Sequence, residues 1–267
     1  MAMNPLMMMM MMMMMFVLPL LKSEAKYELV FIYHKCNDEL GNFTTSTYSN
    51  NRNVLLSNMY SNKEIENGFY KSSYGEGPDK VYGIGFCRGD VNPDKCRTCL
   101  EKSAVLLTER CLVQKEAIGW YDLCMLRYSN RSIVEQEVTD NDDIVKCTNT
   151  NAKNKDRFDK ELNDLVDRMR SSAAEGDSRL KLAEGEAPVQ SSNQTIYALL
   201  QCVPYLSHQN CTQCLDYAMS SSKISRWCDG KTGGWYLGRS CSVRYETYLF
   251  YEPIVHDAPA PQPSQPA

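Results

Sequence analysis

Histidine is scarce in this sequence of 267 residues, where only His34, His208 and His256 occur. None of the three lies at zinc-ligand spacing from a Cys-x2-Cys pair. Scattered imidazoles without a nucleophile-elbow motif also offer no base for an acyl-transfer triad. The sequence further lacks a phosphate-binding glycine loop and the signature motifs of a kinase. These absences predict a protein that is not an enzyme and that needs no cofactor and no metal.

An excess of basic charge and long apolar segments are missing as well. The 29 Lys and Arg residues are outnumbered by 33 Asp and Glu residues, giving a formal net charge of -4. Because phosphate neutralisation requires clustered cations, this balance argues against a nucleic-acid partner. After residue 21 no segment is apolar enough to cross a bilayer. The sequence therefore predicts no membrane span in the mature chain.

The amino terminus carries an uncharged apolar run of 16 residues, Leu6 to Leu21. Small residues follow at Ser23 and Ala25, the spacing that signal peptidase reads, and the run is short for a membrane span. We therefore predict that residues 1–25 are a secretory signal peptide and that the mature chain is secreted and extracellular. A signal anchor and a misassigned start are the alternatives.

Cysteine, by contrast, is abundant, with 12 copies in two series of six. The series are Cys36, Cys87, Cys96, Cys99, Cys111 and Cys124, then Cys147, Cys202, Cys211, Cys214, Cys228 and Cys241. Both contain the spacing Cys-x8-Cys-x2-Cys, and an Arg-Tyr pair follows the last cysteine of each. The repetition predicts two tandem domains over residues 26–138 and 139–253, followed by a Pro-rich tail over residues 254–267.

An even number of cysteines in each unit of a secreted chain indicates three disulfides per domain. A zinc site and a redox-active Cys-x2-Cys are the competing interpretations. The shortage of histidines and the repetition of every cysteine favour disulfides over both. Spacing alone leaves fifteen possible pairings open for each set of six.

Hydrophobic periodicity places elements around these cysteines. Apolar residues from Phe158 to Met169 recur at helical spacing, and Asn53 to Tyr60 occupies the equivalent place in the first unit. Val81 to Cys87 and Thr195 to Cys202 are typical of strands. The final strands are predicted over Met125 to Tyr128 and Val243 to Phe250.

Second helices are predicted to begin at Asn92-Pro93 and at Ser207-His208. Their expected core-facing residues are Leu100, Val105 and Leu106 in the first unit, and Leu215, Ala218 and Met219 in the second. The order of elements predicts the α+β class, with helices packed on an antiparallel sheet.

The tandem units, closed by Cys-Met-Leu-Arg-Tyr and Cys-Ser-Val-Arg-Tyr, resemble the ginkbilobin-homologous, or stress-antifungal, domain of land plants. That domain builds plant cysteine-rich repeat secretory proteins and the ectodomains of cysteine-rich receptor-like kinases. The resemblance covers roughly residues 27 to 253 and implies two helices on a five-stranded sheet in each domain. It also implies the pairings Cys36–Cys111, Cys87–Cys96, Cys99–Cys124, Cys147–Cys228, Cys202–Cys211 and Cys214–Cys241.

The same resemblance implies a sugar site whose residues can be checked. The antifungal founding member binds mannose through an Asn after the first cysteine, an Arg seven residues beyond the fifth, and a Glu five beyond the sixth. These positions hold Asn37, Ile118 and Ser129 in the first unit, and Thr148, Trp235 and Glu246 in the second. Carbohydrate-binding remnants could thus remain at Asn37, Glu246 and Trp235. We interpret Asn37 and Glu246 as ordinary surface residues and Trp235 as a partly buried core residue.

The resemblance favours a secreted, non-catalytic binding protein of plant stress or defence signalling in the apoplast. Its expected partner is an extracellular protein, such as a receptor ectodomain, or a cell-wall glycan, docked through a sheet face. One alternative is a mannose-binding antifungal lectin with a site relocated to Trp235 and Glu246. Another is the truncated ectodomain of a cysteine-rich receptor-like kinase.

Two further motifs concern the surface. Sequons for N-glycosylation occur at Asn42, Asn130, Asn193 and Asn210. Asn210 is the poorest candidate, because its neighbour Cys211 is expected in a disulfide. The tripeptide Arg88-Gly89-Asp90 matches the motif that animal integrins read, and we interpret it as a coincidence within a repeat loop.

Overall fold

The computed structural model describes residues 28–61, 68–133, 143–176, 180–190, 192–220 and 222–253. The predicted signal peptide, the domain boundary between residues 138 and 139, and the Pro-rich tail lie outside these ranges. Within them, each cysteine unit forms one five-stranded antiparallel sheet with helices against it. The prediction of two tandem α+β domains, each with two helices on a five-stranded sheet, is confirmed.

The first sheet has the strand order β1-β4-β5-β3-β2. Its strands are β1 (Phe31–Asn42), β2 (Phe69–Tyr74), β3 (Val81–Cys87), β4 (Gln114–Tyr121) and β5 (Cys124–Ser129). Helix α1 (Ser46–Ser61) follows β1, and helix α2 (Pro93–Arg110) follows β3.

The second sheet repeats this order as β6-β9-β10-β8-β7. Its strands are β6 (Ile144–Cys147), β7 (Lys181–Val189), β8 (Gln194–Cys202), β9 (Gly234–Leu237) and β10 (Cys241–Glu246). Helices α3 (Lys155–Glu175) and α4 (His208–Met219) pack on it, followed by the single turn α5 (Ile224–Trp227). None of the helices in the described ranges combines the length and apolarity needed to span a membrane.

The edge strands β2 and β7 are not predicted by the sequence pattern. The residues of β7 include Lys181, Glu184 and Pro188, which weaken the strand signal but suit an edge, where they discourage pairing with another chain. The last strand also ends at Glu246 rather than continuing to Phe250.

Local capping explains where the second helices begin. The side-chain oxygen of Asn92 accepts a hydrogen bond from the backbone N–H of Lys95 at 2.9 Å. Ser207 caps α4 in the same way, accepting from the backbone N–H of Asn210 at 3.1 Å. These caps satisfy backbone donors that the first helical turn leaves unpaired. The predicted helix starts are confirmed.

The buried stripe of α2 differs from the predicted one. Leu100 and Leu107 are fully buried, but Val105 is 50% exposed, so its predicted place in the core is wrong. At 100° per residue, position 105 lies about 140° around the helix from position 100, whereas position 107 returns to within about 20° of it. In α4 the predicted core residues Leu215, Ala218 and Met219 are buried.

Three disulfides tie the layers together in each domain. In domain 1 they are Cys36–Cys111, Cys87–Cys96 and Cys99–Cys124, which join β1 to the end of α2, β3 to α2, and α2 to β5. In domain 2 they are Cys147–Cys228, Cys202–Cys211 and Cys214–Cys241. These are the pairings that the family resemblance implies. Both ends of α2 and its first turns are thereby fixed to the sheet.

The sheet faces that point away from the helices pack against each other. On the helix side of β3 lie Gly83 and Gly85, and the side chains of Leu55 and Leu100 pack directly over them. Ile84 and Phe86, which alternate with these glycines along the strand, point to the other side. Ile84 and Phe86 are nevertheless buried, and they share one cluster of apolar side chains with residues of domain 2. The face of β3 that points away from the helices is therefore covered, whereas Phe31 and Tyr33 on the edge strand β1 stay exposed. Docking of a partner through a sheet face stays a prediction.

An amide bridges the two domains within this contact. Gln201 on β8 is 2% exposed; its Oε1 accepts from the backbone N–H of Gly89 at 3.2 Å, and its Nε2 donates to the carbonyl of Cys87 at 3.3 Å. We expect Gln201→Leu to lower the free energy of unfolding by about 1–3 kcal/mol, because both backbone groups lose their partner. Chemical denaturation measures this. The exposed control Gln209→Leu should change stability by less than about 0.5 kcal/mol, and equal losses in the two variants would contradict the bridge.

Candidate functional site

The sugar-binding positions of domain 1 are occupied by residues engaged within the protein. The Oδ1 of Asn37 accepts from the backbone N–H of Glu39 at 3.0 Å, which is a local turn. Ile118 is 2% exposed and Ser129 is fully buried. These three positions therefore do not form an exposed polar triad.

A buried ion pair lies beside Ser129. Glu116 on β4 accepts from Nη2 of Arg127 at 2.8 Å and from the hydroxyl of Ser129 at 2.8 Å. Arg239 of domain 2 lies 3.9 Å from the same carboxylate. Burial alone would raise the pKa of Glu116, but the charge and hydrogen bond of Arg127, the hydrogen bond of Ser129 and the charge of Arg239 together hold it below its ordinary value.

In domain 2 the equivalent positions surround Arg244. Its Nε and Nη2 donate to Oε1 of Glu246 at 3.1 and 3.0 Å. The guanidinium carbon lies 4.6 Å from the ring centroid of Trp235 and 4.4 Å from that of Phe250. A sugar ring stacking on this face of Trp235 would have to displace Arg244 from a cation–π contact. The third position, Thr148, pairs with the hydroxyl of Thr232 at 3.2 Å.

Glu246 is 7% exposed, so its interpretation as an ordinary surface residue is wrong. Burial raises the pKa of its carboxyl, and the charge and hydrogen bonds of Arg244 only partly offset this effect. Asn37 and Trp235 are both partly buried.

The two domains supply the carboxylate from different strands. The arginine of each Arg-Tyr pair meets Glu116 of β4 in domain 1 and Glu246 of β10 in domain 2. Gly233 occupies the repeat position of Glu116, while Ser129 occupies that of Glu246. A Cβ atom on Gly233 would lie 2.1 Å from Oε2 of Glu246, so Glu246 fills the space that a side chain at 233 would need. This exchange explains Glu246 as a partner of the partly buried Arg244 rather than as a sugar ligand.

A crevice lies where the domains meet. It is lined by the turn between β4 and β5 (122–123), by the turn between β9 and β10 (238–240), and by Arg88, Trp120, Trp235 and Arg244. Its cavity volume is about 50 Å³. Thr148 and Glu246 are not among its lining residues, so it is distinct from the sugar positions as a group.

The Arg88-Gly89-Asp90 tripeptide is also part of this junction. Arg88 forms a bidentate pair with Asp90 at 2.6 and 2.7 Å and donates to the carbonyl of Phe250 at 3.1 Å. The side chain of Asp90 is 1% exposed. The tripeptide is held between the domains rather than presented at a loop tip, which supports its interpretation as a coincidence.

A histidine and two cysteines also come together. Among the described residues, His34, Cys36 and Cys111 place three potential metal-ligand atoms within 4.8 Å of one another. Both sulfurs belong to one disulfide, which leaves no thiolate for coordination. Burial, with the charge of Arg110, lowers the pKa of His34. The cluster does not fit a metal site.

The four sequons differ in exposure. Asn42 and Asn193 are exposed, whereas Asn130 and Asn210 are partly buried, and Asn210 lies in the first turn of α4. We expect glycans on Asn42 and Asn193 and none on Asn210 in protein secreted from plant cells. Glycopeptide mass mapping tests this, with Asn42→Gln and Asn193→Gln each removing one glycan. Occupancy of Asn210 with both exposed sites empty would contradict the expectation.

The model of the Salt stress response/antifungal family matches this chain twice, over residues 35–131 and 146–248. The chain belongs to this family. The antimicrobial ginkbilobin-2-like protein of Castanea crenata is 37% identical over 221 residues, covering 83% of this chain and 89% of that protein. Cysteine-rich repeat secretory protein 38 of Arabidopsis thaliana is 34% identical, over 82% of this chain and 85% of that protein.

Receptor proteins of the same family are similar too. Cysteine-rich receptor-like protein kinase 26 of Arabidopsis thaliana is 36% identical over 87% of this chain, which spans only 35% of the kinase. The crystal structure of the tandem DUF26 ectodomain of the Arabidopsis receptor-like protein PDLP5 superposes with a TM-score of 0.64 at 25% identity. That likeness covers 81% of this chain and 98% of the ectodomain. The resemblance inferred from the cysteine repeat is thus confirmed.

Proposed function

We propose that this protein is a secreted, non-catalytic binding protein of the plant apoplast that acts in stress or defence signalling. Its similarity to a repeat secretory protein, an antimicrobial protein and receptor ectodomains supports this proposal. In this proposal residues 1–25 are the signal peptide, the domains meet near residue 138, and the tail begins at residue 254.

The proposal rests mainly on the observation that the residues at the family's sugar-binding positions are buried or bonded within the protein. An arginine–carboxylate pair accompanies them in each domain, buried in domain 1 and partly buried in domain 2, where Trp235 stacks on the arginine. A protein partner, such as a receptor ectodomain, therefore fits better than a mannose-containing glycan. Because the contact between the domains covers the inner strands, the partner would contact helices, loops, strand edges or the exposed part of a sheet face.

Purified receptor ectodomains and a cell-wall glycan array can separate these partners. We expect the oxidised chain to bind at least one ectodomain of the cysteine-rich receptor-like kinase class saturably in interferometry, and to bind no mannan on the array. Mannan binding without any ectodomain binding would overturn the proposal.

The lectin with a relocated site at Trp235 and Glu246 is the second candidate. It is favoured only by the antimicrobial relative, since both residues already contact Arg244. If it were correct, Trp235→Ala would abolish growth inhibition of a test fungus; we expect inhibition, where present, to be unchanged.

A truncated receptor-kinase ectodomain is the third candidate, supported by the match to about a third of the receptor-like kinases. Transcript sequencing beyond the Pro-rich tail decides it. A reading frame that continues into a membrane span and a kinase domain would support this candidate.

A further inference from the structure

Buried residues recur at the same spacing in the first helix of each domain. In α1 they are Tyr48, Arg52, Leu55, Leu56 and Met59, and in α3 they are Phe158, Leu162, Leu165, Val166 and Met169. This spacing aligns the two helices, so that Leu162 corresponds to Arg52 and Asn163 corresponds to Asn53. Domain 2 therefore has an apolar side chain at the position where domain 1 has a buried arginine.

The guanidinium of Arg52 contacts a carbonyl, an amide and an aromatic ring in domain 1. Its Nη1 donates to the carbonyl of Cys111 at 3.0 Å, and its Nε donates to Oδ1 of Asn53 at 3.3 Å. The guanidinium carbon lies 5.6 Å from the ring centroid of Tyr128, which is a cation–π contact. Arg52 is only 4% exposed, so these groups surround a guanidinium inside the domain.

The same three groups border a cavity in domain 2. They belong to Asn163, Cys228 and Tyr245, which occupy the repeat positions of Asn53, Cys111 and Tyr128. Together with Leu162 they line a cavity of about 120 Å³. The tyrosine hydroxyl donates to the cysteine carbonyl in both domains, at 3.4 Å in domain 1 and at 3.3 Å in domain 2. The cavity thus lies beside groups that in domain 1 hold a guanidinium.

Two carboxylates at this cavity have no counterpart in domain 1. Asp159 and Asp229 line the cavity, whereas their repeat positions hold Ser49 and Leu112. The Nζ of Lys155 lies 3.1 Å from Asp159 and 2.8 Å from Asp229, so one ammonium group is shared between two carboxylates. A formal negative charge remains in this cluster, and it favours a second cation.

The two carboxylates also have acceptor capacity left. Together they offer about eight acceptor sites. Among the described residues their partners are Lys155 and the backbone N–H of Gly230, which donates to Oδ1 of Asp159 at 3.3 Å. The carbonyl of Cys228 differs, because it accepts from the backbone N–H of Lys231 at 3.0 Å as well as from the tyrosine hydroxyl. A cation in the cavity would therefore donate to the carboxylates and not to this carbonyl.

The size and the exposure of the lining suit a planar cation that enters from solvent. A cavity of about 150 Å³ holds a benzene molecule, and a guanidinium group is smaller than benzene. Leu162 and Tyr245 are 4% and 0% exposed, whereas the side chains of Asp159 and Asp229 are 27% and 56% exposed. The cavity thus combines a buried apolar and aromatic interior with carboxylates at the surface.

We propose that this cavity of domain 2 binds an alkylguanidinium group, the group that ends an arginine side chain. The planar cation packs against Tyr245 and donates to Asn163, as Arg52 does in domain 1, and its remaining N–H groups donate to Asp159 and Asp229. A free guanidine compound and an arginine of a peptide both offer this group. The proposal does not depend on the partner proposed above.

N-ethylguanidinium is the probe, and ethylammonium is the control that keeps the charge but lacks the planar fork of donors. At constant ionic strength, we expect ethylguanidinium to bind the intact, oxidised protein saturably in calorimetry with a Kd of about 1 mM. Ethylammonium should bind about fivefold more weakly or less. Equal affinities of the two cations, or no saturable heat with ethylguanidinium, would overturn the site.

A short peptide identifies the source of the group. If acetyl-Gly-Arg-Gly-amide binds more tightly than ethylguanidinium, the site takes an arginine of a polypeptide. If the peptide binds more weakly, the site takes a free guanidine compound. Either result supports the site, provided that the matched peptide with lysine in place of arginine binds more weakly than the arginine peptide. Equal binding of the two peptides would count against it.

Two variants test the position and the charge of the site. Leu162→Arg supplies an internal guanidinium, as in domain 1, and should weaken ethylguanidinium binding about tenfold or more. Leu162→Met, which keeps the side chain apolar and similar in volume, is its control and should bind like the unchanged protein. Asp229→Asn removes one exposed carboxylate charge and should weaken binding about fivefold.

Asp164→Asn is the matched control for Asp229→Asn, because its carboxylate pairs with Lys160 on the surface of the same helix α3 and does not line the cavity. It should leave the affinity unchanged. Unchanged affinity in both Leu162→Arg and Asp229→Asn would overturn the proposal. Asp229→Asn decides it if Leu162→Arg does not fold.

Discussion

Glu116→Gln should lower the free energy of unfolding by about 3–5 kcal/mol. The side chains of Glu116 and Arg127 are each only 3% exposed, and Arg239 of the other domain adds a second positive charge. The substitution preserves volume, so the loss comes from the uncompensated buried charge and not from a cavity. The new amide also cannot accept from Ser129 and Arg127 as the carboxylate does. Urea denaturation of the oxidised chain measures the change.

Glu246→Gln is the matched control in domain 2. Its partner Arg244 keeps its contacts with the rings of Trp235 and Phe250, and its side chain is 15% exposed. We therefore expect a loss of only about 1 kcal/mol. Equal losses in the two variants would contradict the account of Glu116 as the more deeply buried partner.

The pH dependence of the two variants should also differ. The pKa of Glu116 lies below its ordinary value of 4.5 in the folded state, so its contribution to stability is present above that value and is lost as the pH falls through the folded pKa. The difference between Glu116→Gln and the unchanged protein should thus shrink only below pH 4.5. Burial raises the pKa of Glu246, so its contribution to stability is present below the ordinary pKa and is lost as the pH rises through the folded pKa.

The second large effect is expected from the longest disulfide of domain 1. Replacing Cys36 and Cys111 with alanine should lower the free energy of unfolding by about 4 kcal/mol, because the bridge closes a loop with a sequence separation of 75. Removing the bridge also detaches the edge strand β1 from the end of α2. Calorimetric Tm values and denaturant midpoints of the double variant measure the loss.

The bridge Cys87–Cys96 provides the comparison within the same domain. Its sequence separation is 9, so the same loop-closure model assigns it less than about 3 kcal/mol. Cys147–Cys228, with a separation of 81, should resemble Cys36–Cys111. A larger loss from removing Cys87–Cys96 than from removing Cys36–Cys111 would refute loop closure as the main source of stabilisation.

Local signals in the sequence predict local structure well here. Asn92 and Ser207 cap their helices within three residues, so the helix starts are readable without the fold. The sequence does not show whether Val105 faces the core, because four consecutive apolar residues (104–107) fit more than one rotation of the helix about its axis. The strand β7 could not be predicted, because the charged residues and the proline that suit the edge of a sheet also weaken the sequence pattern of a strand.

The ion pairs could not be predicted from periodicity, because Glu116 and Arg127 meet only when β4 and β5 pair. One signal was nevertheless available. Aligning the two repeats shows that Glu116 corresponds to Gly233 and that Ser129 corresponds to Glu246. The glutamate beside the shared position of the arginine has thus moved from one strand to the other. The contact between the sheets has a signal of its own, since β3 to β5 carry apolar residues on both faces, as in sheets that are buried on both sides.

Titration of the intact, oxidised protein with mannose and mannan tests the central claim most directly. If the family sugar positions have become internal ion pairs, calorimetry will show no saturable heat up to millimolar ligand. Saturable binding with a Kd of millimolar or better, lost in Glu246→Gln or Trp235→Ala, would show instead that a sugar site persists in domain 2.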